Sequence, residues 1–513
     1  MSKYLVLMDT DKIKQYIYSV GKLKQIRGAS SILAKLNKKE QVEQRVSSYG
    51  GKCIYAGGGQ VMAIFNSDEK ADEFIRAEQA KYEESDASIT GIKEEHINSF
   101  NEVVKKAQIK LRRAKEEKVL KSHLITSPFF KTCQLCGVNP ASKIKYEKFA
   151  CTVCEKKIDK GEEVREKPAE NPIYKEFLNY MKSNPADPEW EKAKFTEDLS
   201  ELGKLSEPEN YLGFIYADGN RIGERLLKLT TEKQYQEMSE TVEKGLQESV
   251  FESLRNCIPK PSNRKIPFEF VILGGDDLIL LTPAQKAIPI ALEILTKFEK
   301  KTKAFANKID EEKFTLSTGV IIAHSKFPIV SFTKLAEDLL KSAKKLNKEK
   351  WYGTEKVLEK RDNSTIDYLS VTTPSANPVE VIREKDLTYT GGGTLKLTQR
   401  PFTLEKAKRI VNIVKDIKKC KLSRSRLYSI YNSLFEGKNQ SILNILSLLT
   451  RLKGEEDIKK LFGRLKTDPL FYSNGGALFP WNSLGGFAYD TPFLDILEIY
   501  DFIEVTDEYG NRI

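Results

Sequence analysis

Histidine is nearly missing from this 513-residue chain: it has three, His96, His123 and His324, and none is followed by aspartate. No His-Asp metal cluster can be built from them. His324 is given no role beyond a strand-end hydrogen bond. No window approaches the ~18 uninterrupted apolar residues of a membrane span. The opening MSKYLVLMDTDK meets acid too early for a signal peptide. These absences lead us to expect a cytoplasmic protein with no membrane attachment. Cysteine is scarce, seven in all, and a cytosolic chain would keep these thiols reduced, which suits metal rather than disulfide. Cys53, Cys257 and Cys420 stand alone and read as buried core positions.

The composition, 40% hydrophobic and 31% charged, is that of a globular chain long enough for several domains. The net charge of +11 is modest but clustered, in KKAQIKLRRAKEEKVLK (105–121), KSAKKLNKEK (341–350) and KAKRIVNIVKDIKKCKLSRSR (406–426). Such helical stretches are either phosphate-facing surfaces or solvated helix faces.

The other four cysteines form one pattern, CQLC at 133–136 and CTVC at 151–154. Two C-x2-C knuckles bring four thiolates onto a tetrahedron that suits Zn²⁺. With Cys133, Cys136, Cys151 and Cys154 filling every position, the expected role of the zinc is structural.

The chain also repeats itself. YLVLMDTDKIKQYIY (4–18) and YLGFIYADGNRIGER (211–225) are both an apolar strand ending in aspartate, then a turn into a helix. Asp9 matches Asp218, and Asp11 matches Asn220. Each is followed by an apolar strand, a Gly-rich hairpin and another apolar strand: CIYAGGGQVMAIF (53–65) in the first copy, FEFVILGGDDLILL (268–281) in the second. The order βααββαβ is ferredoxin-like and sets the first strand beside the hairpin. Asp218, Asp276 and Asp277 should then converge on one sheet edge, on what we expect to be an exposed rim.

Converging carboxylates repel unless a hard cation neutralises them, and Mg²⁺ or Mn²⁺ prefers carboxylate and phosphate oxygens. Gly274 and Gly275 would let a nucleotide approach the backbone. The stretch Gly219, Asn220, Arg221 and Ile222 opens a helix whose free N–H groups could cradle a triphosphate. Lys344 could reach a phosphate or be a plain surface lysine. In the first copy GGGQ replaces GGDD, so that unit should be catalytically silent, although Gly57, Gly58 and Gly59 could admit a second nucleotide.

Two palm units, the first degenerate and the second carrying GGDD, flank a four-cysteine module. With GKLKQIRGASSILAKLN (21–37), TSPFFKTCQLCGVNPAS (126–142) and GVIIAHSKFPI (319–329), this resembles the large subunit of type III CRISPR effector complexes. The resemblance covers residues 1 to about 404 and, more loosely, the rest. It implies that the second palm converts ATP into cyclic oligoadenylates when a guide-RNA complex binds target RNA. Related palms occur in GGDEF-type diguanylate cyclases and in stand-alone polymerases, which would act without RNA and could be homodimers. Many members of the family begin with an HD nuclease domain, and this sequence starts directly with the first palm, so DNA cleavage is not expected. A non-catalytic RNA-protein scaffold is the competing reading.

The expected fold class is α+β: two ferredoxin-like palms of the GGDEF/cyclase type, a zinc module between them and a helical C-terminal domain. Boundaries are expected at 1–121 (first palm), 122–165 (zinc module), 166–206 (linker), 207–356 (second palm), 357–404 (connecting segment) and 405–513 (C-terminal domain).

Overall fold

The structure is a computed structural model that describes residues 3–95, 99–118, 131–145, 147–183, 188–348, 363–371, 377–390, 393–451, 456–472 and 479–505. His96, His123 and the expected boundaries at 121/122 and 356/357 lie outside the described residues.

The first unit runs β1 (Tyr4–Thr10), α1 (Ile13–Tyr18), α2 (Leu23–Leu36), α3 (Lys39–Ser48), β2 (Lys52–Gly57), β3 (Gln60–Phe65), α4 (Asp68–Glu83), β4 (Ile89–Glu95) and α5 (Phe100–Glu117). Its antiparallel sheet has the order β2-β3-β1-β4. The unbroken apolar run of β1 is explained by burial on both faces: Leu5 and Leu7 enter one core, Val6 and Met8 another.

The cysteine module follows, as β5 (Lys143–Lys145), β6 (Lys148–Ala150) and α6 (Thr152–Glu166). Helix α6 packs on α2 at a glycine crossing. A Cβ on Gly28 would lie 1.8 Å from the Lys157 carbonyl oxygen, and one on Gly161 would lie 1.8 Å from that of Lys24.

The segment expected to be a linker, with α7 (Pro172–Ser183), β7 (Lys194–Phe195) and α8 (Leu199–Gly203), is not a spacer. Tyr174, Phe177, Trp190 and Phe195 are buried; the first three make edge-on or tilted ring contacts with Phe251, Phe268 and Phe270 of the second palm, and Phe195 packs edge-on against Tyr174.

The second unit repeats the first: β8 (Tyr211–Gly219), α9 (Ile222–Leu226), α10 (Glu232–Cys257), a short β9 (Lys265–Ile266), β10 (Glu269–Gly274), β11 (Asp277–Pro283), α11 (Ala284–Lys308), β12 (Leu316–His324) and α12 (Ile329–Lys348). Both hairpins carry a register shift at the same place, Phe270/Ile272 in one and Cys53/Tyr55 in the other. This sheet does not end where the second palm was expected to end. β13 (Thr365–Val371) adds parallel to β12, and β16 (Phe402–Thr403) adds to β13. The connecting segment therefore belongs partly to the palm sheet; α13 (Val379–Asp386), β14 (Thr388–Thr390) and β15 (Thr394–Lys396) fall between those two strands.

The C-terminal region is mainly helical, with α14 (Leu404–Lys419), α15 (Arg424–Phe435), α16 (Lys438–Arg451), α17 (Glu456–Thr467) and α18 (Phe493–Ile499). Strands β17 (Asn482–Gly485) and β18 (Ala488–Asp490) complete a small sheet with β14 and β15. Trp481 and Phe493 are core, whereas Phe487 at the hairpin tip is exposed. Among the described residues no helix is long and apolar enough to cross a membrane.

Candidate functional site

Strand register brings the repeated aspartates to equivalent places. In the first unit Asp9 pairs with Gln60. In the second the ladder runs to Ala217 opposite Leu278, so the next step sets Asp218 opposite Asp277. Gly274 pairs with Asp277 across the turn Gly275–Asp276, and Gly57 pairs with Gln60 across Gly58–Gly59. Gly58, Gly59 and Gly275 have φ of 59°, 86° and 60°, left-handed values that favour glycine. The two tips abut: a Cβ on Gly58 would lie 3.0 Å from Cα of Gly275. Gly57 faces the Glu243 carboxylate of α10 and the Cα side of Gly58 faces the other hairpin, while Gly58 stays exposed and lines the cleft between the palms together with Gly59.

The carboxylates of the two units are neutralised differently. In the first, Asp9 pairs with Lys115. Asp11 receives Lys118 at 2.8 Å, Ser88 at 2.7 Å and Thr90 at 2.8 Å. These contacts outweigh burial and hold Asp11 below its ordinary value. Lys115 of α5 and Lys118 just after it, both from the basic stretch 105–121, therefore serve internal aspartates. In the second unit Asp218 pairs with Lys344, so this lysine sits in the site, on a carboxylate.

Asp276 and Asp277 have no lysine or arginine ion-pair partner among the described residues. Burial raises both, the charge of Asp277 adding to the rise at Asp276 and Lys14 opposing it at Asp277. They are partly buried, not on the exposed rim expected, because the first palm's hairpin covers the turn. Oδ1 of Asp277 is buried and has no hydrogen-bond partner among the described residues. An orphaned carboxylate oxygen is expensive, and a divalent cation would satisfy it. Asp276 lies over Gly219, where a Cβ would meet its carboxylate at 2.6 Å.

The remaining expected residues divide. Asn220 is buried and spent on structure, donating to Thr315 at 3.0 Å and accepting from Ser317 at 2.7 Å. Ile222 is buried, Arg221 pairs with Glu224 at 2.8 Å, and α9 is one short turn of five residues. Asn220 thus ties the end of β8 to β12, Arg221 closes on its own helix and Ile222 enters the core; the N–H groups expected to cradle a triphosphate open a helix of only five residues. Sequence reasoning missed Lys14, Lys115, Lys118 and Glu243, whose roles depend on partners far along the chain. Burial pushes Glu243 up to about 7, the Gly275 amide pulling the other way. A cleft of about 290 Å³ between the palms is lined by Lys14, Lys39, Gly59, Glu243, Gly274 and Asp277, among others.

Among the described residues, the set of three or more His, Cys, Asp or Glu groups close enough to hold one ion is Cys133, Cys136, Cys151 and Cys154, whose sulfurs lie within 4.8 Å of one another. The amides of Leu135 and Cys154 point at the sulfurs of Cys133 and Cys151, 3.4 Å each. Four converging sulfurs, two of them accepting backbone N–H groups, fit a tetrahedral thiolate-bound metal. Asp218, Asp276 and Asp277 do not form so tight a set, Asp218 being turned to Lys344.

Residues 211–351 match the family model described as Cas10/Cmr2, second palm domain. No curated protein matches the chain. Similar solved structures include a Csm1-Csm4 cassette in complex with pppApA, at 17% identity and TM-score 0.45, over 67% of this chain and 53% of that one. An apo Csm1-Csm4 cassette aligns at 16% identity and TM-score 0.46, over 82% and 62%. Csm1 of T. onnurineus aligns at 17% and 0.42, over 66% and 51%. The chain thus spans between about half and three-fifths of the length of these proteins.

Proposed function

Starting from a Cas10-like chain, with a Cas10/Cmr2-type second palm at residues 211–351, we propose that it is a nucleotidyltransferase that joins ATP into cyclic oligoadenylates, as the large subunit of a type III CRISPR effector complex. The observation that carries this reading is the contrast between the palms. Lysines already neutralise Asp9 and Asp11, whereas Asp277 keeps a buried, unpartnered oxygen opposite Asp218.

Asp218 and Asp277 would hold Mg²⁺ or Mn²⁺, with Asp276 assisting. The bound cations would supply neutralisation of the triphosphate and of charge developing in the reaction. In the reaction a ribose 3′ hydroxyl attacks the α-phosphate of a second ATP. The O3′–Pα bond forms, the bond to the β-phosphate bridging oxygen breaks, and pyrophosphate leaves. The hydroxyl proton passes to a carboxylate of the site or to water. Lys344, released from Asp218, is placed to take up phosphate charge. Gly274 borders the cleft between the palms together with Gly58, Gly59 and Asp277, where a nucleotide would lie against the backbone.

The four cysteines hold a structural Zn²⁺ in this reading. Its distance from the chemistry is bridged by α6, which braces α2 at Gly28 and Gly161. Partner subunits, guide RNA and target RNA would set when the enzyme is active, in the cytoplasm. The test is product formation from each of the four NTPs, with and without RNA. Product from GTP alone would move the protein to the diguanylate group, and vigorous RNA-independent synthesis would make it a stand-alone enzyme.

A further inference from the structure

The first palm reaches into the second palm's site with one side chain. Lys14, on α1, extends its ammonium 3.0 Å from Glu337 of α12 and lies 4.4 Å over the ring of Tyr216 on β8. Tyr216 pairs with Ile279 across the β8–β11 ladder. Side chains two residues apart share a face and are about 7 Å apart along a strand. Tyr216 therefore stands on the same face as Asp218, and Ile279 on the same face as Asp277. The cation over Tyr216 sits one step from the carboxylate pair, and Lys14 lines the interpalm cleft together with Asp277.

Helix α12 holds both cations that border this face. Glu337 takes Lys14 and, seven residues on, Lys344 takes Asp218. Positions seven apart lie on one helix side, about 10 Å apart. Lys14 and Glu337 each keep about a third of their side-chain surface exposed. A pair this wet is weak and exchangeable, whereas a lysine meeting a polyphosphate gains a stronger charge-assisted contact.

We propose that Lys14 is a nucleotide-binding residue contributed by the first palm: it rests on Glu337 and transfers to the phosphates of a nucleotide seated beside Asp277. The degenerate palm then supplies a ligand-binding cation in addition to support. This inference rests on the nucleotidyltransferase reading and names a further residue of that site.

The opposite signs expected for the two partners test it. Isothermal titration of the ATP analogue AMPPNP with Mg²⁺ would be run on wild type, Lys14→Met, Glu337→Gln and the double variant, with melting curves to check folding. Lys14→Met should weaken binding about tenfold or more, since a charge-assisted contact is lost. Glu337→Gln should tighten it roughly two- to fivefold, since the competing partner is removed. In the double variant the gain should vanish. Equal weakening by both single variants would make the pair a brace between the palms and overturn the inference. So would unchanged binding in Lys14→Met, and either result leaves the nucleotidyltransferase reading standing. Failure of the wild type to bind AMPPNP would overturn that reading together with the inference.

Discussion

Arg27 and Glu269 join the first palm to the strand that leads into GGDD. Arg27 of α2 is fully buried and Glu269, which begins β10, is 1% exposed. The guanidinium meets the carboxylate at 3.0 and 2.6 Å and the Thr196 carbonyl at 2.9 Å. Arg27→Met keeps most of the volume and removes every one of these contacts. Taking one partner from a buried pair costs about 3–5 kcal/mol, because the other charge is left uncompensated. If the two palms melt as one unit, which exceeds about 250 residues, each kcal/mol moves Tm by about 2 °C at most, a fall of up to roughly 6–10 °C.

The loss should depend on pH. Burial already holds Glu269 above its ordinary value, Arg27 opposing, and without Arg27 it rises further. A carboxyl with a folded pKa above the unfolded value of about 4.3 binds more protons in the folded state between the two values. Stability is therefore lost as pH rises through that window. Arg27→Met should lie closest to wild type near about pH 5 and furthest near about pH 8. Arg27→Met with Glu269→Leu should recover most of the loss, since the stranded charge is gone. Melting curves across this range decide it. A variant that melts with wild type at the higher pH, or a double variant no better than the single, would refute the reasoning.

Three further outcomes are expected. Gly28→Ala should disrupt the α2–α6 crossing, its Cβ meeting a backbone carbonyl at 1.8 Å; a melting temperature unchanged from wild type would contradict the packing described. The purified protein should carry about one equivalent of Zn²⁺, and Cys133→Ser or chelation should lower its stability; metal analysis without zinc, with four freely reactive thiols, would rule the site out. Asp277→Asn should abolish nucleotide turnover while Asp9→Asn reduces it much less, because Lys115 already neutralises Asp9; equal losses would mean that the palms are not divided as described.

Much of the fold was legible because the hydrophobic pattern carried it. Apolar strands broken by GGGQ and GGDD mark two hairpins, and the aspartate ending each first strand marks its neighbour. What stayed hidden depends on partners distant in sequence. The segment 166–206 has a linker's composition, yet Tyr174, Phe177 and Trp190 drive it into the core. β13 and β16 extend the second sheet through pairings that no local periodicity signals. Asn220 looked like a ligand residue at a helix start, but Thr315 and Ser317 consume its amide. The tip-to-tip approach of the hairpins, which sets Gly58 against Gly275 at the edge of the cleft, joins residues more than 200 positions apart.

The central claim is that Asp218, Asp276 and Asp277 form a metal-dependent ATP-joining site. Its most direct test is chromatography of products from ATP with Mg²⁺ or Mn²⁺, comparing wild type with Asp277→Asn, alone and in the complex assembled with guide and target RNA. The account predicts 3′–5′-linked cyclic oligoadenylates and pyrophosphate from the wild type, low alone and raised by RNA, and none from the variant. Absence of product from the wild type in every condition, or equal product from Asp277→Asn, would contradict it.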